Sequence, residues 1–237
     1  MLFWIIPLSF GIISLIAFLI FRVLEKRKIA VVLKGLTSLF FITTALVAWL
    51  SSNNPNHIFG IFILIALSFG LLGDVFLDIK FISEKYNDLF TILGFLAFGL
   101  GHISFITGLF LKFYDFSANP LYIIIPILFA IIGVGVSLLL ERLTPIKYKK
   151  MKPCVIIYGF ILFFTAAIYL SVAIQSGWQI LTINIMAVGF ILFMISDLIL
   201  NNTYFAPNCN TPIFIISNHV IYYIAQFTIA ISLFFLI

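Results

Sequence analysis

The sequence predicts an all-α fold, a polytopic transmembrane bundle of about eight helices, on three observations. The 237 residues are 64% hydrophobic and 9% charged, with a mean hydropathy of +1.27, too apolar for a water-soluble fold to cover with polar surface. The apolar runs are continuous and match the ~20 residues a helix needs to cross a hydrocarbon core of about 30 Å. They lack the ten-residue alternation of a transmembrane barrel. Finally, the basic residues segregate to alternate connections. A single integral-membrane domain over residues 1–237 is expected.

Hydropathy places the first span at 2–22. It has no charged leading region and no small-residue cleavage motif, and its basic cluster follows the apolar stretch, so it is expected to stay as an uncleaved anchor. The second span, 29–50, closes on Ser51-Ser52-Asn53-Asn54-Pro55-Asn56, a run with turn chemistry. The third and fourth spans are expected at 58–79 and 89–111. Ser117-Ala118-Asn119-Pro120 opens the fifth, at 121–140, and the sixth and seventh follow at 154–174 and 179–200. Thr211 and Pro212 read as the cap and first turn of the eighth, at 212–236. No strong repeat or low-complexity segment interrupts this series.

Positively charged flanks are retained in the cytoplasm. With the N-terminus outside, twelve of the thirteen basic residues fall on the cytoplasmic side, leaving Lys112 outside. An odd number of spans would spoil that segregation. Both termini are therefore expected outside, in a multi-pass protein of the bacterial inner (cytoplasmic) membrane. The net charge of +5 follows from topology and calls for no nucleic-acid partner. Cys154 and Cys209 fall near cytoplasmic span ends, in a reducing compartment, so no disulfide is expected.

An ionised side chain near the bilayer centre costs about 2.5–3.5 kcal/mol on insertion scales, so acids inside spans need a structural or functional compensation. Asp74 and Asp78 lie late in span three and Asp197 late in span seven. Four residues apart, Asp74 and Asp78 share one helix face, where one carboxyl can hold a proton beside an ionised partner, an arrangement suited to acid–base chemistry. The alternative for Asp78 is a solvated boundary position near Lys80, and for Lys34 a side chain that snorkels to the interface. His102 and His219 also lie inside spans, as catalysts or as interhelical hydrogen-bonding groups; His57, in an outer loop, is incidental. Gly70, Gly73, Gly99 and Gly101 let backbones approach or leave room for a ligand. Lys34, Asp74, Asp197 and His219 share a cytoplasmic-side depth, with His102, Tyr223 and Gln226 nearer the midplane, so a polar cavity open toward the cytoplasmic leaflet is expected. No His-x-x-x-His pair or Cys/His cluster occurs, and neither a metal nor a cofactor is expected.

At these residues the chain resembles the YhhN-like family, the membrane lysoplasmalogenases. The resemblance rests on Lys34-Gly35-Leu36-Thr37, Leu72-Gly73-Asp74, Gly101-His102-Ile103-Ser104-Phe105, Ser196-Asp197-Leu198 and Tyr222-Tyr223-Ile224-Ala225-Gln226-Phe227-Thr228-Ile229, in family order over essentially the whole chain. Gly35 stands where the family usually has proline after the lysine, and Phe105 where many members carry tyrosine. The resemblance implies hydrolysis of the vinyl-ether bond of a lysophospholipid to a fatty aldehyde and a glycerophospho-alcohol. That chemistry needs a buried acid and a carboxylate for the cation and water, expected to be Asp74 and Asp197 in either order, with His102 and His219 relaying protons or fixing tautomers, Lys34 and Tyr223 near the headgroup, and Asp78 and Gln226 also on the substrate. The expected partners are that lipid and the bilayer. Two other readings of the same residues remain: a proton-coupled carrier, and a non-catalytic protein in which polar groups join helices.

Overall fold

The computed structural model describes residues 2–53, 55–82 and 84–236. It is all-helical, with eight long helices: α1 Ile5–Val23, α2 Arg27–Leu50, α3 His57–Ile79, α4 Asn87–Lys112, α5 Leu121–Leu143, α6 Lys152–Gln175, α7 Leu181–Phe205 and α8 Pro212–Ser232. All eight are long and apolar enough to cross a bilayer, and their outward faces carry exposed aliphatic side chains such as Ile13, Val32 and Leu143. The protein is a multi-pass membrane protein. One end of the bundle collects the basic connections and is called the basic end below.

Most boundaries lie within three residues of the hydropathy reading. The exceptions are α8, which gives way at Ser232 to a 3-10 turn four residues short of 236, and α7, which runs five residues past the expected end at 200. Asn201, Asn202 and Thr203 lower the hydropathy there, yet Asn202 and Thr203 return their side chains to carbonyls one turn back, at 3.0 and 3.2 Å, and the helix continues. Asn56 caps α3 by accepting from the Phe59 amide at 2.9 Å. Thr211 occupies the α8 cap position with extended backbone and Pro212 the first turn, but the Thr211 hydroxyl makes no capping bond.

Helix contacts run α2–α3, α3–α4, α4–α6, α6–α7, α7–α8 and α8–α2, so six helices close a ring; α1 packs outside against α2 and α8, and α5 outside against α6. Without a hydrophobic drive between helices in lipid, the ring depends on close packing and on side-chain bonds to neighbouring backbones. At Gly101 a Cβ would stand 3.0 Å from the Ala66 carbonyl oxygen, so any larger residue would press the α3 backbone away by a few tenths of an ångström. Ser104 donates to the Phe62 carbonyl at 2.8 Å and Tyr169 to the Phe105 carbonyl at 2.8 Å, tying α4 to α3 and α6 to α4.

Helix α5 is the loosest element, burying only Pro126 and Ala130. Pro126 cannot donate to the Tyr122 carbonyl one turn earlier. Ser171 of α6 donates to that oxygen instead, at 2.6 Å, as required of a backbone group in lipid. Near the basic end, Glu141 pairs with Lys152 at 2.7 Å.

Candidate functional site

The polar interior of the ring lies near the basic end. Lys34, seven residues into α2, is about 10 Å deep at 1.5 Å per residue. It is 3% exposed and Asp78 1% exposed, so Lys34 does not snorkel and Asp78 is not a solvated boundary residue. The i, i+4 spacing on α3 turns both acids toward one ammonium: Lys34 Nζ lies 3.4 Å from Asp74 Oδ1 and 3.2 Å from Asp78 Oδ1. The second oxygen of Asp74 accepts from Ser38 at 2.6 Å and from Tyr222 at 2.8 Å. Oδ2 of Asp78 has no partner among the described residues.

Asp197 enters from α7 and is held differently. Tyr158 of α6 donates to its Oδ2, while Oδ1 has only the Ser196 hydroxyl at 3.4 Å. No cation among the described residues lies within ion-pair distance of it. Asn218 fixes the turn beneath by donating to the Ser196 carbonyl at 2.7 Å. Asp74, Asp197 and His219, with Lys34, Phe98 and Tyr222, line one cavity of about 20 Å³, enough for roughly one water. His219 Nδ1 donates to the Ile215 carbonyl at 2.7 Å; a carbonyl can only accept, so the proton is on Nδ1 and Nε2 is left as an acceptor.

The other expected site residues stand further back. The single proton of the Tyr223 hydroxyl is shared between the Ser38 hydroxyl oxygen at 3.1 Å and the Lys34 carbonyl at 3.2 Å, holding α2 against α8. Gln226 donates to the Tyr222 hydroxyl at 2.9 Å, which orients that hydroxyl toward Asp74. His102 sits among Tyr158, Phe105, Phe190 and Phe193, and neither ring nitrogen has a partner among the described residues. It does not line the water-sized cavity. Among the described residues no group of three His, Cys, Asp or Glu is placed to hold a metal ion.

Ser38, Tyr158 and Tyr222 contact the acids directly without having been expected as site residues, although Tyr222 stands in a stretch that carries the family resemblance. Ser38 had a usable signal, one turn after Lys34 on the same face of α2; Tyr158 had none. Each of the six ring helices places a side chain in or beside this polar interior.

The model of the YhhN family matches residues 29–233, from the start of α2 to the end of α8, and so takes in all six ring helices. The chain belongs to the YhhN family. Comparisons with curated proteins and with solved structures give no match. The matched region begins after α1.

Proposed function

We propose that this YhhN family protein is a lysoplasmalogenase-type hydrolase, cleaving the vinyl-ether bond of a lysophospholipid to a fatty aldehyde and a glycerophospho-alcohol. The observation that carries the reading is that two carboxylates in unlike environments, Asp74 and Asp197, face one water-sized cavity.

A vinyl ether resists nucleophiles until its β-carbon is protonated. Protonation leaves an oxocarbenium ion, water adds to the carbon bearing oxygen, and the hemiacetal collapses to aldehyde and alcohol. One water is consumed and the acid recovers its proton from that water. Such a reaction needs a buried proton donor and a carboxylate that stays ionised beside the cation and water. Asp74, with an ammonium and two hydroxyl donors, suits the ionised role. Asp197, with no cationic partner among the described residues and Oδ1 nearly free, suits the donor. His219 lines the same space, and its Nε2 can take the proton of the attacking water and return it to Asp197. On this reading Lys34 and Asp78 fix the charge of Asp74, Tyr223 and Gln226 hold its hydroxyl donors, and His102 packs behind Tyr158. The segregation of lysine and arginine supports a cytoplasmic orientation for the basic end.

The test is release of aldehyde by purified protein in detergent from a panel of lysophospholipids that includes a vinyl-ether species. Activity in detergent also separates a hydrolase from a carrier, which needs a sealed compartment. Asp74→Asn and Asp197→Asn should each lower the rate by about 100-fold or more, the usual contribution of a positioned acid or base, with melting temperature retained. Folded wild-type protein that releases no aldehyde from any vinyl-ether lipid would overturn the reading.

A further inference from the structure

Three cavities follow one another along α7: the first lies among the start of α4, the α5–α6 connection and the end of α7, and the other two lie between α6 and α7, beneath α5. At the basic end a vestibule of about 720 Å³ is lined by Lys80, Lys147, Lys149 and Lys150, with Asp88 the one acid among its described lining residues. A small cavity of about 60 Å³ comes next, lined by Tyr158, Asp197, Tyr204 and Phe205; Tyr204 and Phe205 also line the vestibule. Farther along, an almost wholly apolar cavity of about 410 Å³ lies among Ile125, Phe129, Ala167, Leu170, Ile191 and Met194. Ile191, Met194, Leu198, Asn201 and Phe205 recur at three- and four-residue intervals, so the three spaces share one face of α7. That face runs about 21 Å from Phe205 to Ile191, with some 9 Å of it beyond Asp197.

The Phe163 ring stands between the last two cavities, packed on Phe129 with ring centroids 6.1 Å apart. It fits beneath α5 because residue 133 is glycine; a Cβ there would stand 2.7 Å from the ring. The helix above it has two buried residues, so α5 is the element that can part from the ring with the smallest loss of packing.

Basic mouth, carboxyl group and apolar channel follow in the order of the parts of a single-chain phospholipid. We propose that this file of cavities is the binding track for such a lipid, with its phosphate on the vestibule lysines, its vinyl ether at Asp197, which borders both the small cavity and the space shared with Asp74, and its hydrocarbon chain passing Phe163 into the far cavity. The substrate class rests on the hydrolase reading above; the track rests on the cavities and their charge. One file of cavities accommodates one chain, so the track favours a single-chain lipid over a diacyl one.

Chain-length preference and photolabelling together test the track. Ala167→Trp fills the far cavity, and should lower kcat/KM for a hexadecenyl lysolipid relative to an octenyl one by about tenfold; Met194→Trp fills it from the opposite wall and serves if the first variant fails to fold. A lysophospholipid with a diazirine at the chain terminus should label Ile125, Phe129 or Met194 of wild-type protein in detergent, and excess unlabelled lysolipid should suppress the labelling. Hydrolysis with unaltered chain-length preference and labels elsewhere overturns the track and leaves the hydrolase reading intact. Suppressible labelling in the far cavity without hydrolysis of any vinyl ether keeps the track and removes the hydrolase reading. Neither hydrolysis nor suppressible labelling overturns both.

Discussion

The Lys34 ammonium stands 3.2 Å from the Asp78 carboxylate, and the same ammonium reaches Asp74 at 3.4 Å. One buried cation thus serves two buried acids. Removing one member of such a set leaves the others uncompensated, which in buried pairs costs about 3–5 kcal/mol. Lys34→Met should therefore lower the melting temperature in detergent sharply. Lys34→Met combined with Asp78→Asn should recover much of the loss, because the cation and one carboxylate then leave together. A double variant no more stable than the single one would show that Asp78 does not depend on Lys34.

The hydroxyls on Asp74 should matter for rate more than for folding. A hydrogen bond to a charged group contributes about 1.5–3 kcal/mol, equivalent to roughly 10- to 100-fold in rate where the bond holds a reacting carboxylate. Tyr222→Phe and Ser38→Ala should each reduce aldehyde release by that factor. Gln226→Ala acts one bond further out, through the Tyr222 hydroxyl, and should cost less. Comparable losses for Gln226→Ala and Tyr222→Phe would place Gln226 on the substrate itself.

The vestibule makes stability depend on pH. Lys80, just past the end of α3, is buried with Nζ 3.0 Å from the centroid of the Tyr204 ring. Burial brings its ammonium down from 10.5 to about 7; Asp78 opposes the shift, and Lys34 and Arg22 add to it. The folded protein then binds fewer protons at this site than the unfolded chain between those two values, so stability rises with pH across that window and the penalty is complete below it. Melting temperature in detergent should climb from about pH 7 to about pH 9, and Lys80→Met should flatten the climb. An unchanged slope in Lys80→Met would assign it to another group.

The eight helices were legible because lipid dictates them: a backbone in hydrocarbon must satisfy itself within the span, and apolar length records that requirement. The end of α7 was not, because Asn201 and Tyr204 look like a loop to hydropathy although they bond and pack within the bundle. In the interior the charged residues stood out against their background. Ser38, Tyr158 and Tyr222 did not, since a hydroxyl can return to its own helix and its partner here lies on another one. That Asp74 and Asp197 share a cavity depends on how the ring closes between α3, α7 and α8, which no local pattern records.

The cavity between the acids also depends on a missing side chain. A Cβ on Gly73 would stand 2.6 Å from the Phe98 ring, which has Tyr222, Phe193 and Tyr158 around it at centroid distances of 6.0, 6.1 and 6.5 Å. With aromatic rings on those sides, a displaced Phe98 moves into the space of about 20 Å³ that it lines with Asp74 and Asp197. Overpacking of this kind costs about 1–3 kcal/mol, so Gly73→Ala should remain folded with a lowered melting temperature and lose at least about tenfold in aldehyde release. Gly135→Ala is the control, since a Cβ there meets nothing within 4 Å; it should leave the rate unaltered. Adding Phe98→Leu to Gly73→Ala shortens the displaced side chain and should return part of the activity. If Gly73→Ala is destabilised yet fully active, the space between Asp74 and Asp197 is not where the water reacts.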